Sequence, residues 1–309
     1  MKSSTIKVYL TGLRSYCVDQ GYSTAELEVF THPQVQRTVK GARRLYPARE
    51  DTTRERLPIT KDILLRVLSR LDLDTYEGIS LHAAFCLAFA GFLRIGEFTW
   101  EPVDWLQADQ GAEFANWHVT RNCVHFDIPQ NAVTGPETAT TLPAPEPSRF
   151  YLTLPASKTD PFRKGVTLTI ARSPIDGDPA CPVTSMLRYQ QKFPSYPDAP
   201  LFTLNYMQPG SDNGLDAHYL PGAAFRRAHV VGSLRRLLFE AGIPGNYSGH
   251  SFRRGAATSA RAAGIPAEDI QLLGRWKSEA YKRYIQVHPE HLYLASRRLQ
   301  AQPSGGTRI

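Results

Sequence analysis

Hydrophobic residues at the start of the chain recur every three or four positions, which is the spacing of one face of an α-helix. The members of this stripe are Ile6, Tyr9, Leu10, Leu13 and Cys17. Ser4 or Thr5 can cap this helix and Gly21 can end it. A weaker helical pattern covers Val35 to Leu45. The chain is therefore expected to open with a short all-helical piece.

A charged stretch poor in apolar residues follows at 46–56 and predicts a linker, with a domain boundary near residue 57. Thr60 is expected to cap the next helix. The apolar stripe of that helix consists of Ile63, Leu64, Val67, Leu68 and Leu71. The run from Ile79 to Leu93 is apolar on nearly every side, which predicts a buried core helix.

Three short alternating segments then predict strands around 124–128, 151–154 and 166–170. Between the first two, residues 129–147 carry five prolines, which predicts a long loop. Helices resume at Pro182, after which 193–222 is irregular and the last ninety residues are again helical. These patterns predict a mixed α+β fold, mainly helical, with a small antiparallel sheet, and a disordered tail at 301–309.

Composition narrows the class of protein. The chain has 309 residues, of which 42% are hydrophobic, so it can bury a core. No apolar run approaches the roughly 20 residues that span a bilayer, and the start lacks the apolar stretch of a secretory signal. The four cysteines are far apart and form no C-x-x-C pair, which argues against a disulfide scaffold or a zinc site. We expect an intracellular protein.

The net charge of +7 is unevenly distributed along the chain. Residues 1–57 carry 10 Lys and Arg against 6 Asp and Glu, residues 58–220 carry 12 against 18, and residues 221–309 carry 14 against 5. Two basic ends around an acidic middle suit a protein that binds a polyanion. A solvated basic surface would produce the same charge pattern, so charge suggests nucleic acid without establishing it.

Arg94 stands at the end of the apolar run, in Arg94-Ile95-Gly96-Glu97. An arginine there needs a partner, because an isolated buried charge is costly to desolvate. Glu97 lies three residues on and can hold the guanidinium if the turn is helical. Taken alone, the pair also fits an ordinary structural ion pair.

His250 and Arg253 lie three residues apart, so a helix beginning near Ser248 puts both on one face. The backbone N–H groups at such a helix start favour a phosphate group. Imidazole can transfer a proton near neutral pH, and guanidinium clamps phosphate oxygens. The structural alternative is a capping histidine beside a surface arginine.

Two further motifs complete the set. Lys158 lies in a Ser-Lys-Thr triplet between the second and third predicted strands, and Tyr281 and Tyr284 share a helical face beyond Trp276. Singly these residues are ordinary, because hairpin lysines are usually exposed and tyrosines at helical spacing usually belong to a core. The order Arg, Lys, His-x-x-Arg, Trp, Tyr is far more specific than any one of its parts.

In this order the motifs resemble those of the tyrosine recombinases, the phage integrase family of DNA breaking-rejoining enzymes. Residues 272–285 resemble the crypton-type recombinases of eukaryotic mobile elements, and the resemblance covers about 58–295. It implies a partial helical core-binding (DNA-clamp) domain and linker at 1–57 and a catalytic domain at 58–300. It implies catalytic roles, with Glu97 supporting, for Arg94, Lys158, His250, Arg253, Trp276 and Tyr284. We also expect DNA contacts from Lys164, Arg254 and Arg275.

The resemblance implies a mechanism. Tyr284 attacks phosphorus and leaves a 3′-phosphotyrosyl enzyme, while Arg94 and Arg253 bind the two non-bridging oxygens. Lys158 protonates the departing 5′-oxygen, and His250 accepts the proton of the incoming hydroxyl. Energy is conserved in the covalent link, so neither ATP nor a metal is expected, and the sequence shows no P-loop or metal-ligand cluster.

Two departures from the family leave alternatives open. The spacing from Trp276 to Tyr284 is one residue shorter than in many relatives, so Tyr281 is the alternative nucleophile. Trp276 itself would support the site through its indole N–H and by packing against the helix that holds His250.

The second departure concerns the amino-terminal region. Residues 1–57 hold fewer helices than the core-binding domain of the family, which suggests a truncated chain.

Double-stranded DNA is the expected partner, bound by a homo-tetramer, with no membrane and no small-molecule substrate. The stretch from Pro289 to Leu299 either docks on a neighbouring subunit or packs on its own. A eukaryotic origin would imply access to the nucleus. The alternatives are an inactive DNA-binding relic of a mobile element and a type IB topoisomerase.

Overall fold

The computed structural model describes residues 3–45, 56–100, 118–128, 146–155, 164–206, 224–283 and 297. The chain divides into two compact units, Met1–Glu55 and Arg56–Ile309. The described residues form helices and one three-stranded antiparallel sheet, which confirms the predicted mixed, mainly helical α+β class. In these ranges no helix combines the length and apolar character that crossing a membrane requires. The roles predicted for 1–57 and 58–300 stay predictions.

The described part of the first unit, residues 3–45, contains the α-helices α1 (Ser3–Asp19), α2 (Thr24–Leu27) and α3 (Pro33–Leu45). The chain leaves α1 through Gly21, whose φ of +83° is a conformation that glycine adopts without strain. A capping box begins α2: Ser23 Oγ accepts a hydrogen bond from the backbone N–H of Glu26, and the Glu26 carboxylate accepts one from Ser23. The periodicity predicted α1 and α3; α2 is too short to produce a pattern.

The second unit is built around one buried helix. Its helices are α4 (Lys61–Leu68), α5 (Tyr76–Ala90), α6 (Pro182–Lys192), α7 (Arg227–Glu240), α8 (Ser251–Ala262) and α9 (Ala267–Leu273). Nearly every residue of α5 from Gly78 to Ala88 is buried, and α5 contacts α6 and α8. This is the predicted core helix. It begins earlier than the apolar run does, because Thr75 caps it through a bond from the Gly78 N–H to Thr75 Oγ.

The chain after the end of α5 leads directly to Arg94, one of the predicted catalytic residues. The helix stops at Ala90 although apolar residues continue to Leu93. Phe92 has a φ of +51°, in the left-handed region, so the chain turns sharply there. Arg94 then precedes a single 3₁₀ turn, Ile95–Glu97.

The sheet consists of β1 (Val124–Phe126), β2 (Arg149–Leu154) and β3 (Val166–Ala171), in the order β1-β2-β3. Leu152 of β2 lies opposite Val124 on one side and Leu168 on the other. The buried side chains of β2 alternate with exposed or half-buried ones, as the pattern predicts for a sheet with one covered face. The strand β3 contacts α6.

The segment that enters the second unit passes tightly across the start of α8. The backbone N–H of Ile59 donates to the carbonyl of Ser251 at 2.9 Å, and that of Leu57 donates to Asn246 at 2.9 Å. A Cβ on Gly255 would overlap the carbonyl oxygen of Ile59. Gly255, two residues after Arg253, is therefore required by backbone packing.

Several predicted features lie outside the described residues. They are the linker at 46–55, the proline-rich loop at 129–145, residues 207–223, the terminal stretch 289–299 apart from Arg297, and the tail 301–309.

Candidate active site

Three distant segments meet at one place in the second unit: the turn after α5, the start of α8 and the loop after α9. The backbone N–H of Ile95 donates to the carbonyl of Gly249 at 3.0 Å, which joins the first two. Arg253 of α8 donates to the carbonyl of Phe92 at 3.0 Å and also to the carbonyl of Gly274, which joins all three. These bonds bring together the predicted residues Arg94, Glu97, His250, Arg253, Arg275 and Trp276.

Arg94 is oriented by a nearly buried carboxylate. Glu97 Oε1 accepts a hydrogen bond from Arg94 Nη1 at 3.1 Å, and Glu97 Oε2 accepts one from the Arg94 backbone N–H at 2.8 Å. The Glu97 side chain is 7% exposed and that of Arg94 is 28% exposed. Glu97 therefore anchors one edge of the guanidinium while part of the group stays open to a ligand.

Arg253 is a buried cation, 4% exposed. Its guanidinium carbon lies 4.4 Å from the ring centroid of Trp276, and two of its nitrogens donate to the carbonyls of Phe92 and Gly274. Both carbonyls and the indole face are favourable partners for a guanidinium, and together they fix its orientation. A Cβ on Gly274 would overlap the Trp276 ring, so the glycine lets the indole lie flat against its own loop.

His250 is the N-cap residue of α8, one position before its first residue, Ser251. Burial lowers the pKa of its imidazole, and Arg94, Arg56, Arg227 and Arg253 lower it further. Its buried Nδ1 has no hydrogen-bond partner among the described residues. The imidazole is therefore neutral at neutral pH, and in that state it can accept a proton.

Arg56 and Arg227 were not expected from the motifs. Both are exposed, and both lie close enough to His250 to lower its pKa. The Nε of Arg227 is 3.4 Å from the position that a Cβ on Gly249 would occupy. Arg56 and Arg227 lie at very different distances from His250 in the sequence, so no spacing pattern predicts their place in the site. The adjacent arginines 226 and 227 at the start of α7 are the one feature of the sequence that could have indicated Arg227.

The residues predicted to contact DNA have different surroundings. Arg275 points inward: Nη1 donates to the carbonyl of Gly91 at 2.9 Å and Nη2 to Glu97 Oε2 at 3.1 Å. Burial lowers the pKa of Arg275, and the Glu97 charge opposes that effect. Arg254 Nη1 donates to the carbonyl of Arg56 at 2.6 Å. Lys164 is exposed just before β3.

Trp276 connects this site to a small second core. Its ring meets Phe92 edge-on at 6.2 Å and Tyr281 at 5.9 Å between centroids. Tyr281 is 4% exposed and belongs to a hydrophobic cluster with Ile270. The other two predicted catalytic residues, Lys158 and Tyr284, lie outside the described residues.

Comparison with known proteins gives structural likenesses alone. No protein-family model and no curated protein matches the chain. The XerH site-specific recombinase, in a post-cleavage complex with its palindromic difH substrate, has a TM-score of 0.48 at 10% identity, over 79% of this chain and 52% of the other. This chain thus spans about half the length of that recombinase.

Two further solved structures are similar at the same level. The XerA recombinase has a TM-score of 0.45 at 15% identity, over 98% of this chain and 85% of the other. The Tn1549 transposon integrase, in complex with circular intermediate DNA, has a TM-score of 0.43 at 15% identity, over 94% and 85%.

Proposed function

We propose that this protein is a site-specific DNA recombinase of the tyrosine recombinase kind, which cleaves and rejoins DNA through a covalent 3′-phosphotyrosyl intermediate. The observation that carries the proposal is the meeting of Arg94, His250 and Arg253, from distant parts of the chain, around one electropositive site. Two oriented guanidinium groups beside a neutral imidazole suit the binding and reaction of a phosphodiester.

The two arginines have complementary roles in this proposal. Arg253 is oriented by two backbone carbonyls and the Trp276 ring, and its guanidinium would bring positive charge to the phosphate. Arg94 is anchored by Glu97 and keeps part of its guanidinium open. Each would bind one non-bridging oxygen, and both would stabilise the extra negative charge that develops as phosphorus becomes pentavalent.

Tyr284 is the proposed nucleophile. Its phenolic O–H gives up its proton to solvent as the oxygen forms a bond to phosphorus, and the bond between phosphorus and the 5′-oxygen breaks. Lys158 gives its proton to that departing oxygen. These two roles rest on the sequence motifs. The burial of Tyr281 against Trp276 supports the choice of Tyr284, because a ring packed in a hydrophobic cluster has poor access to DNA.

His250 acts in the reverse step. When a 5′-hydroxyl attacks the phosphotyrosine, the neutral imidazole takes its proton and the new phosphodiester bond forms. The bond between phosphorus and the Tyr284 oxygen breaks, and the released phenolate regains a proton from solvent. The energy of the original bond is kept in the phosphotyrosyl link, so rejoining needs no nucleotide. As a recombinase of the crypton type, the protein would act as a tetramer that holds two DNA duplexes. It would serve a mobile element and work in the nucleus of a eukaryotic cell.

The test is the covalent adduct. The purified chain is incubated with a labelled pool of random-sequence duplexes that carry single-strand nicks, and adducts are separated under denaturing conditions. The nick lets the short cleaved piece diffuse away, which traps the intermediate. We expect wild type and Tyr281→Phe to form the adduct and Tyr284→Phe to form none, since that variant lacks the attacking oxygen.

The other outcomes assign the alternatives. DNA binding without any adduct would contradict the enzyme proposal and leave a DNA-binding relic. An adduct in Tyr284→Phe would contradict the nucleophile assignment. Relaxation of supercoiled plasmid by a protein that stays monomeric on DNA would point to a type IB topoisomerase.

A further inference from the structure

The arginine that precedes Trp276 has an unusual backbone. Arg275 has a φ of +55°, in the left-handed region that side chains other than glycine seldom adopt. Its side chain is 16% exposed and makes two hydrogen bonds, to the carbonyl of Gly91 and to Glu97. The left-handed turn thus points a long basic side chain into the protein. Strain of this kind persists where surrounding contacts fix it.

Glu97 is shared by the two arginines. Its Oε2 accepts from Arg275 Nη2 and from the Arg94 backbone, while its Oε1 accepts from the Arg94 guanidinium. With both oxygens engaged, the carboxylate is held in one orientation. Removing Arg275 would leave Glu97 with Arg94 alone, and the carboxylate and guanidinium could then move together.

The second contact of Arg275 acts on the same segment. Gly91, whose carbonyl accepts from Arg275 Nη1, is the C-cap residue of α5, immediately before the sharp turn at Phe92. Arg275 therefore holds both the turn that delivers Arg94 and the carboxylate that aims it. The neighbouring Gly274 and Trp276 hold Arg253.

We propose that Arg275 is a positioning residue of the phosphate site: through Glu97 and Gly91 it fixes the Arg94 guanidinium, and it does not itself contact DNA. The loop after α9 then supports both phosphate-binding arginines. The catalytic consequence rests on the proposed function, whereas the mechanical coupling between Arg275 and Arg94 is a property of the free protein.

The coupling is measured first, without DNA. Arg275→Gly removes both hydrogen bonds and relieves the left-handed backbone, so the variant is expected to fold. Arg275→Gln removes the charge but keeps a side chain other than that of glycine, so the left-handed backbone at this position is not relieved. Arg261→Gln, an exposed arginine in the last turn of α8, is the matched control for loss of charge. Side-chain NMR of the Arg94 guanidinium reports its order.

We expect the Arg94 guanidinium to become disordered in both Arg275 variants and to be unchanged in Arg261→Gln. An Arg94 signal as ordered in Arg275→Gly as in wild type would overturn the proposal. Because this readout needs no substrate, it decides the coupling even if the wild type forms no covalent adduct. In that case the proposed function fails separately.

The second measurement uses the random-sequence nicked duplexes. We expect Arg275→Gly to slow adduct formation at saturating protein by about 100-fold, as misplacement of a catalytic group does, with DNA affinity within about twofold of wild type. Adding Glu97→Gln should cost little more, because both changes release the same guanidinium. A loss of DNA affinity parallel to the loss of rate would mean that Arg275 contacts DNA, contrary to the proposal.

Discussion

At the residue scale, two glycines of the site are required because other atoms occupy the space of a side chain. A Cβ on Gly255 would overlap the carbonyl oxygen of Ile59, and one on Gly274 would overlap the Trp276 ring. Neither glycine has a positive φ, so the constraint is packing and not backbone conformation. These two glycines thus allow α8 and the loop after α9 to pack closely against their neighbours.

Gly255→Ala should therefore destabilise the fold by about 3 kcal/mol, the upper part of the usual range for an overpacked site, because a backbone carbonyl cannot move aside as a side chain can. Urea unfolding measures the change. Gly232→Ala in α7 is the control, since nothing lies within 4 Å of its added Cβ, and alanine should stabilise that helix by about 0.5–1 kcal/mol. Equal effects at the two positions would contradict the packing explanation.

A second residue-scale prediction concerns His82 in α5. Burial, followed by the charge of Arg188, lowers the pKa of His82 from 6.5 to about 4, although a backbone bond to Pro179 opposes this. The folded state therefore binds the proton less well than the unfolded state. The contribution of His82 to stability is complete above pH 6.5 and is lost as the pH falls towards 4.

At about 1.4 kcal/mol for each pKa unit, the loss is on the order of 3 kcal/mol. Urea unfolding of wild type and His82→Gln across this pH range isolates it, since other groups titrate equally in both proteins. As the pH falls towards 4, the free energy of unfolding of the wild type should decrease relative to that of His82→Gln. A constant difference would show that His82 titrates normally.

The sequence predicts the local contacts of the site and misses the distant ones. Glu97 lies three residues from Arg94, so a single turn of chain is enough to bring the pair together, and the 3₁₀ turn at Ile95–Glu97 does so. Arg275 lies 178 positions from its partner Glu97, and its inward direction depends on a left-handed turn that no residue type signals. The sequence therefore places Arg275 among the expected DNA contacts and gives no sign of its bonds to Glu97 and Gly91.

At the element scale, periodicity predicts where helices lie, while caps decide where they begin. Thr60 and Thr75 both occupy N-cap positions, of α4 and α5. The side chain of Thr60, predicted as a cap, makes no capping hydrogen bond, whereas Thr75 Oγ accepts from the N–H of Gly78 at 3.1 Å. Identical residues in equivalent positions thus differ in whether the side chain makes the capping bond.

Thr75→Ala should cost about 1 kcal/mol of stability, because it leaves an N–H at the start of α5 without its acceptor. Thr60→Ala is the matched control and should cost less, since no capping bond is lost. Thermal or urea unfolding of the two variants gives the comparison. Equal losses would show that the side-chain bond of Thr75 contributes nothing specific.

At the scale of the whole molecule, charge is concentrated where the proposed function needs it. The last third of the chain carries 14 basic and 5 acidic residues between 221 and 309. Composition alone cannot separate a binding site from a solvated surface. Structure adds the location: Arg56, Arg94, Arg227 and Arg253 all act on His250, although they come from three separate regions of the sequence.

The salt dependence of DNA binding tests whether location matters more than net charge. A phosphate contact releases condensed counterions, so losing one should reduce the slope of log K against log salt concentration by about 0.9. We expect this reduction for Arg227→Gln, whose guanidinium lies beside Gly249 at the site. Arg261→Gln removes the same charge from exposed surface and should leave the slope unchanged. If both variants reduce the slope equally, DNA responds to the overall charge of the protein, and Arg227 does not belong to the phosphate-binding surface.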